Sequence, residues 1–330
     1  MANPIDLATL FREQIGGRRN LIINGAMQVA QRGTSVTDGT GATSYGLDRF
    51  TFEATDGGTD PVNNPITTQV QHSNSQITDG NRNALKISTT TAAIGTAQVS
   101  QRIERETFRH TIGQTVTFSC LVKRNSSAVT GGTLRMIASV NDNNPYVLRA
   151  LPGNYPSHTV TETLVTGVQN IPADYTRYTA SFTMPAGANT TDILEIGLSF
   201  YLFDGATNNN DDLFSISEMQ LELGDTATPF EHRSYGEELA LCQRYYCETR
   251  ASIRGVAPGP GSNQYFENQI FWPQEMRAAP ATTLPSTTGS NINSLTINTQ
   301  TQYGARFSLL TSTTGGFYAL SKIVTADAEL

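Results

Sequence analysis

Few residues of this sequence have the types and spacing that catalysis requires. An enzyme site needs a nucleophile beside its base, a pair of carboxylates or a cluster of metal ligands. The four histidines are far apart, at His72, His110, His158 and His232. Glu104 and Glu106 alternate as two glycosidase carboxylates could, but the neighbouring arginines favour a solvated charged face. The sequence therefore predicts a protein that is not an enzyme and that binds no cofactor.

Aromatic residues near the end of the chain indicate a different chemistry, the binding of sugars. Tyr265, Phe266, Trp272 and Tyr303 supply several rings within a short stretch. Such rings can stack against sugar rings, while amides and carboxylates bind the sugar hydroxyls. An aromatic strand in a small domain also commonly faces the core. The sugar-binding and core interpretations therefore both stay open.

The composition favours strands joined by many turns. Of the 330 residues 38% are hydrophobic and only 15% are charged, and Thr, Asn, Gly and Ser are abundant. Threonine favours pleated surfaces, whereas Gly and Asn accept the positive φ of tight turns. The net charge of −7 argues against nucleic-acid binding. We expect no signal peptide, because the N-terminus has no basic start followed by an apolar run of secretory length. We expect no membrane insertion, because no apolar run reaches the length of a membrane span.

Capping residues and hydrophobic periodicity divide the chain into four segments. Residues 1–18 predict a short N-terminal helix, since a capping residue precedes and a glycine pair follows its apolar face. Residues 19–233 have the period-two pattern of antiparallel strands that stack as a β-sandwich. Residues 234–250 begin with a capping box and predict a linking helix. Residues 251–330 predict a smaller C-terminal β domain.

The alternation within the sandwich segment predicts which face each strand buries. In four segments the apolar residues occupy every second position. These segments are residues 115–122, 134–140, 178–184 and 195–202. The opposite parity is mostly polar, and we expect it to face solvent. Between residues 214 and 223 the apolar parity changes. Because a slip of one residue would turn every side chain over, we expect a β-bulge around Ser217 and Glu218.

Several short motifs in this sequence occur together in a known family. The motifs are RNLIINGAM (residues 19–27), QRG (31–33), LDRF (47–50), ISEMQLELG (216–224), ATPFE (227–231) and ELALCQRYY (238–246). In combination they resemble the phage tail fibre and virion structural proteins that contain a carbohydrate-binding-like jelly-roll domain. The resemblance covers roughly residues 19–247.

The resemblance implies a mainly β protein with a jelly-roll β-sandwich that serves as a structural or adhesive unit of the virion. The expected function is a fibre protein, assembled in the host cytoplasm, that adheres to host-surface glycans. Two alternatives remain, a head-decoration or capsid-fibre protein and a polysaccharide depolymerase. The N-terminal helix packs on its own domain or docks the chain to other virion proteins of the tail or capsid.

The resemblance also implies a site where a structural calcium ion could bind. Related jelly rolls often hold such an ion between their first and last strands. The corresponding candidates here are Asn24, through nearby carbonyls, and Glu218 at the expected bulge. Calcium prefers six to eight oxygen ligands, so one carboxylate with backbone groups is a poor set.

The weak charge of the C-terminal domain suggests self-association. Only eight of the residues from Ala251 to the end are charged. A domain of this composition would leave apolar surface uncovered as a monomer. We therefore expect a homotrimer, an oligomeric state that the resembled family often adopts.

Overall fold

The computed structural model describes residues 18–37, 44–55, 65–71, 83–89, 96–126, 131–141, 159–184, 193–201, 212–257, 264–284 and 290–329. In these ranges the chain is mainly β, as predicted. It forms two compact units, of which the first ends at Ser234 and the second runs from Tyr235 to Glu329. The predicted N-terminal helix lies almost wholly outside the described residues.

The first unit contains two six-stranded antiparallel sheets. Sheet I has, in spatial order, β1 (Ser35–Thr37), β4 (Pro65–Gln71), β5 (Asn83–Thr89), β12 (Asp212–Leu223), β7 (Thr115–Arg124) and β10 (Thr176–Thr183). Sheet II has β2 (Ser44–Tyr45), β3 (Phe50–Thr55), β6 (Thr96–Glu104), β11 (Ile193–Tyr201), β8 (Thr133–Asn141) and β9 (Thr159–Gly167). Their inner faces share one apolar core.

The strand pairing of the first unit is that of a jelly roll. Antiparallel pairs form between β5 and β12, β6 and β11, β7 and β10, and β8 and β9. Successive pairs therefore alternate between sheet I and sheet II, as in one long hairpin wrapped around a barrel. The fold class expected from the resemblance is confirmed.

The predicted change of parity in β12 is a β-bulge. The register against β7 shifts between Ser217 and Gln220, and Glu218 has a φ of 49°. Because of this extra residue, Ile216 before the bulge and Met219 after it both lie in the core. In the same strand, the Phe214 ring stacks on the ring of Phe200 from sheet II, with the two ring centroids 4.2 Å apart.

The prediction that the polar side of the sheet II strands faces solvent is wrong. Gln98, Ser100 and Arg102 of β6 and Glu195 and Ser199 of β11 point away from the core, yet each is at most 5% exposed. Hydrogen bonds make this burial tolerable, because the Ser100 hydroxyl donates to Glu195 Oε1 at 2.8 Å. Arg102 Nε lies 3.8 Å from the same oxygen.

Glu104 and Glu106 do not alternate on one strand as the sequence suggested. β6 ends at Glu104, and the next residues form the single-turn helix α1 (Arg105–Phe108). Glu106 pairs within this turn with Arg109 at 2.9 Å. The two carboxylates therefore do not share one face of a strand, as a glycosidase pair on β6 would require. Short 3-10 helices span Arg109–Thr111 and Val168–Asn170.

The second unit is a smaller β-sandwich that begins with helix α2 (Tyr235–Gln243). Sheet III contains β13 (Tyr246–Ala257), β18 (Gly315–Asp327) and β15 (Ala281–Thr283), and sheet IV contains β14 (Tyr265–Phe271), β17 (Gly304–Thr311) and β16 (Ile292–Thr301). Their inner faces enclose a second apolar core. The predicted helix over residues 234–250 is too long, because the chain already enters β13 at Tyr246. No helix among the described residues has the length and apolar content of a membrane span.

Candidate functional site

The four aromatic residues that the sequence indicated for sugar binding lie in two environments. Trp272 is 6% exposed, and its indole N–H donates to a backbone carbonyl at 2.9 Å. The Phe266 ring packs 4.2 Å from the Phe317 ring at the second core. Tyr265 and Tyr303 are 71% and 60% exposed. Only the last two of these four can therefore offer a ring surface to a ligand.

The outer side of sheet IV carries an exposed aromatic residue at each end of β14. Alternation places Tyr265, Glu267, Gln269 and Phe271 outside, whereas Ile270 faces the core. Phe271 is 67% exposed. We call the outward residues of β14, β17 and β16 the aromatic face. Phe271 was not among the predicted sugar-binding residues, although Phe271 shares the parity of Tyr265.

Hydrogen-bonding side chains lie beside the strand between the two rings. The Asn298 amide donates to Glu267 Oε1 at 3.3 Å and to the Ser308 hydroxyl at 2.9 Å. Thr296 Oγ1 lies 3.2 Å from the same hydroxyl. Arg306 Nη1 lies 3.8 Å from Glu267 Oε2, so a positive and a negative charge neutralise each other here. These mutual contacts hold several donors and acceptors in place at the surface.

The sheet leaves Phe271 without a side chain across from it. Its partner in β17 is Gly304, where a Cβ would lie only 2.2 Å from the Ile270 carbonyl oxygen. The glycine therefore permits the close approach of β17 and β14. The backbone N–H of Trp272 donates to the Tyr303 carbonyl at 3.1 Å. This hydrogen bond holds the turn after β16 next to this end of β14.

An acidic group lies at the same end of the strand. A hydrogen bond from the Tyr303 phenol to the Glu275 carboxylate, together with the negative charge, raises the pKa of Tyr303. The Gln302 amide also contacts Glu275 at 3.5 Å. This corner therefore presents a carboxylate and a protonated phenol beside the Phe271 end of the aromatic face.

The calcium candidates do not form a suitable ligand set. Asn24 Oδ1 accepts the Val29 N–H at 2.9 Å, and its amide donates to the carbonyls of Val29 and Asp48. Glu218 is fully buried, and Arg177 Nη2 lies 2.9 Å from its Oε2. A guanidinium at this distance would repel a divalent cation. Among the described residues no group of three or more His, Cys, Asp or Glu could hold a metal.

Two of the motifs that carry the family resemblance, residues 19–27 and 227–231, meet at the two ends of the jelly roll. The backbone N–H groups of Arg19 and Asn20 donate to the Glu231 carboxylate at 3.0 and 2.9 Å. Arg233 donates to the carbonyls of Asn20 and, at 3.0 Å, of Ile22. We call Arg19, Asn20, Glu231 and Arg233 the terminal clamp. These residues join the two chain ends of the jelly roll.

The clamp continues into the bulge of β12. Met219 donates its N–H to the Gly25 carbonyl at 3.0 Å, and its own carbonyl accepts the Asn20 amide at 3.1 Å. A Cβ on Gly25 would lie 2.1 Å from the Met219 oxygen. Packing within the first unit therefore brings the motif at residues 19–27 against the motif at residues 216–224.

The polar outer side of sheet II is a second cluster of chemically active groups. A chain of hydrogen bonds runs from Thr51 through Ser100 to Glu195, with Arg102 at its end. Every member is at most 5% exposed, so this cluster presents little surface to a large ligand. The aromatic face is the more accessible candidate.

The described cysteines are buried, and the described histidines lie beside an arginine or an aromatic ring. Cys120, Cys242 and Cys247 are free and buried. Burial raises the pKa of Cys247 to about 12, so its thiolate is scarce at neutral pH. Burial and nearby Arg109 lower the pKa of His110. His232 packs edge-on against an aromatic ring, and His72 and His158 lie outside the described residues.

Comparisons with known proteins identify no family for this chain. No family model and no curated protein matches it. Solved structures match at low TM-scores. The xylan-binding CBM22-1 domain of Xyn10C from Paenibacillus barcinonensis has 12% identity and a TM-score of 0.31, over 63% of this chain and 96% of that one. The Stig cyclase Fisc from Fischerella sp. TAU has 12% identity and a TM-score of 0.36, over 63% and 98%.

A match to a larger enzyme also has a low identity and a low TM-score. The CBM22-1 and GH10 modules of xylanase 10B from Clostridium thermocellum, in a complex with xylohexaose, have 12% identity and a TM-score of 0.30. The match covers 61% of this chain but only 30% of the xylanase chain. Since all three TM-scores are below 0.5, the function must be inferred from this chain's own residues.

Proposed function

We propose that this chain is a structural subunit of a bacteriophage virion, of the fibre type, and that its second unit adheres to glycans on the host surface. The proposed adhesion is supported by the exposed rings of the aromatic face. Tyr265 and Phe271 are exposed on one side of β14, with hydrogen-bonding side chains between and beside them. Exposed rings can stack against the ring face of a sugar, and the donors and acceptors held beside them can bind its hydroxyl groups.

The virion assignment rests on the combination of motifs in residues 19–246. In this chain three of those motifs, residues 19–27, 216–224 and 227–231, contribute to the terminal clamp and the β12 bulge, which are features of the scaffold. They support membership of a structural family and carry no information on the ligand. Immunogold labelling of intact particles with an antibody to the chain tests the assignment. Label on tail fibres supports it, label on the head favours the decoration alternative, and unlabelled particles overturn it.

Adhesion is tested with the purified full-length protein and whole bacterial cells of the host. We expect saturable binding that isolated surface polysaccharide competes away. Replacing both Tyr265 and Phe271 by alanine is expected to abolish this binding, because it removes both ring surfaces. Binding that persists in the double variant would exclude the aromatic face as the adhesive surface. Release of oligosaccharides from the polysaccharide would instead favour the depolymerase alternative.

A further inference from the structure

The two exposed rings of the aromatic face are too far apart for one small sugar to contact both. Tyr265 and Phe271 are six residues apart on a continuous strand that pairs in regular register with β17. At a rise of about 3.3 Å per residue their Cα atoms are roughly 20 Å apart. A ligand that uses both rings must therefore be an extended chain of several sugar units.

Polar side chains occupy the path between the rings. Glu267 and Gln269 follow Tyr265 on the same face, at alternate positions. Among the described residues, none makes a hydrogen bond to the side-chain amide of Gln269. Glu267 is held by Asn298 and by Arg306. The path therefore offers both amide and carboxylate groups to the hydroxyls of a bound chain.

The charge of the aromatic face discriminates between ligand classes. Glu267 and Arg306 are both about half exposed, and their charges have opposite signs, so the centre of the face is close to neutral. Beside the Phe271 end, the Glu275 carboxylate adds a negative charge that would repel an acidic polysaccharide. The pattern favours a neutral chain over an anionic one.

The same pattern argues against a second protein chain as the occupant. A protein interface is built around a contiguous apolar patch that excludes water. Here the two rings are separated along β14 by Glu267 and Gln269, and the neighbouring positions on β17 include exposed Arg306. Isolated rings with polar groups between them suit a ligand that alternates ring faces with hydroxyls.

We infer that the aromatic face binds a neutral oligosaccharide of several units, laid along β14 from Tyr265 to Phe271. This inference rests on the proposed glycan adhesion and names its ligand class. The chain contacts Tyr265 at one end and Phe271 at the other, and Gln269 and Glu267 bind hydroxyls between them.

The test is a titration of the full-length protein with neutral oligosaccharides prepared from host surface polysaccharide. Disaccharide, tetrasaccharide and hexasaccharide fractions are compared with anionic fractions of equal length. We expect the affinity to increase with length, to at least about tenfold between disaccharide and hexasaccharide, which corresponds to ~1.4 kcal/mol. Tyr265→Ala and Phe271→Ala should each remove most of this gain with length, so that either variant binds the hexasaccharide little more tightly than the disaccharide.

Tyr318→Ala is the matched control, because Tyr318 is an exposed aromatic residue on the other sheet. It should bind every fraction as the parent protein does. Equal affinity for short and long chains, or preference for the anionic fractions, would overturn the inference and leave the adhesion standing. If the protein binds none of the fractions and also fails to bind cells, both fail.

Discussion

At Glu218 a buried charge and an unusual backbone conformation occur in the same residue. Its φ of 49° lies in the left-handed region, which a non-glycine residue rarely adopts. Its carboxylate is fully buried and accepts a hydrogen bond from Arg177, whose second nitrogen contacts Ser119 at 3.3 Å. The ion pair therefore joins the bulge of β12 to β7 and β10 in sheet I.

Replacing Arg177 by alanine should destabilise the first unit strongly. The change removes the cation beside a fully buried carboxylate, and such losses cost about 3–5 kcal/mol. We expect the lower end, about 3 kcal/mol, because the Arg177 side chain is 28% exposed. Urea unfolding measures the loss. Adding Glu218→Gln to Arg177→Ala should recover part of it, and an equal loss in both proteins would contradict the charge explanation.

The terminal clamp should make stability depend on acid. Burial tends to raise the pKa of Glu231, but hydrogen bonds from the Asn20 and Arg19 N–H groups and the charge of Arg233 outweigh it and lower the pKa below its usual 4.5. A lowered folded pKa means that the stabilisation is complete above about 4.5 and is lost as pH falls through the folded value.

The Glu231→Gln variant tests this dependence. Melting temperatures of the parent protein should fall more steeply below about pH 4.5 than those of the variant, because the variant cannot lose the charge. At neutral pH the variant should melt lower than the parent. Parallel melting curves over the acid range would mean that Glu231 does not contribute to the clamp.

At the scale of the strands, β11 depends on a glycine at the centre of sheet II. Gly197 pairs with Ser100 of β6 and with Ile137 of β8. A Cβ at this position would lie 2.2 Å from the Val99 carbonyl oxygen and 2.7 Å from Ser100 Cα. Both atoms belong to the backbone of a paired strand, so they cannot move without breaking the sheet.

Gly197→Ala should therefore destabilise the jelly roll by about 3 kcal/mol or more, as overpacking against backbone does. Gly236→Ala is the matched control, since no atom lies within 4 Å of the added Cβ and the residue is in α2. There alanine should stabilise by roughly 0.5 kcal/mol through helix propensity. Unfolding by guanidinium compares the two. A soluble Gly197→Ala protein of unchanged stability would contradict the close approach.

The local features of the elements were predictable because they depend on alternation. The core-facing side of each strand and the β12 bulge follow from the side-chain period of two, and the start of α2 at Tyr235 follows from the capping box. Burial of Arg102 and Glu195 was not, since it depends on long-range pairing that alternation does not specify. The aromatic face was predicted in part. Tyr265 was predicted correctly as an exposed ring, but Trp272, which was predicted with it, lies in the core.

For the whole molecule, exposed apolar side chains are distributed unevenly. Among the described residues the large exposed hydrophobics are Tyr235, Val256, Tyr265, Phe271, Tyr303, Tyr318 and Ile323, all of them in the second unit. Three of these, Val256, Tyr318 and Ile323, lie on the outer side of sheet III. Burial of such a surface between copies would lower the free energy of an assembly.

We predict that the protein is a homotrimer that assembles through the outer side of sheet III. Light scattering coupled to size exclusion should give three times the mass of one chain at micromolar concentration. Ile323→Lys should lower that mass, because Ile323 pairs with Arg250 and a second cation there would be desolvated beside a like charge. Thr314→Lys, on an exposed turn, should leave the mass unchanged. A monomeric parent protein would refute the trimer. A trimeric Ile323→Lys protein would place the contact on another surface.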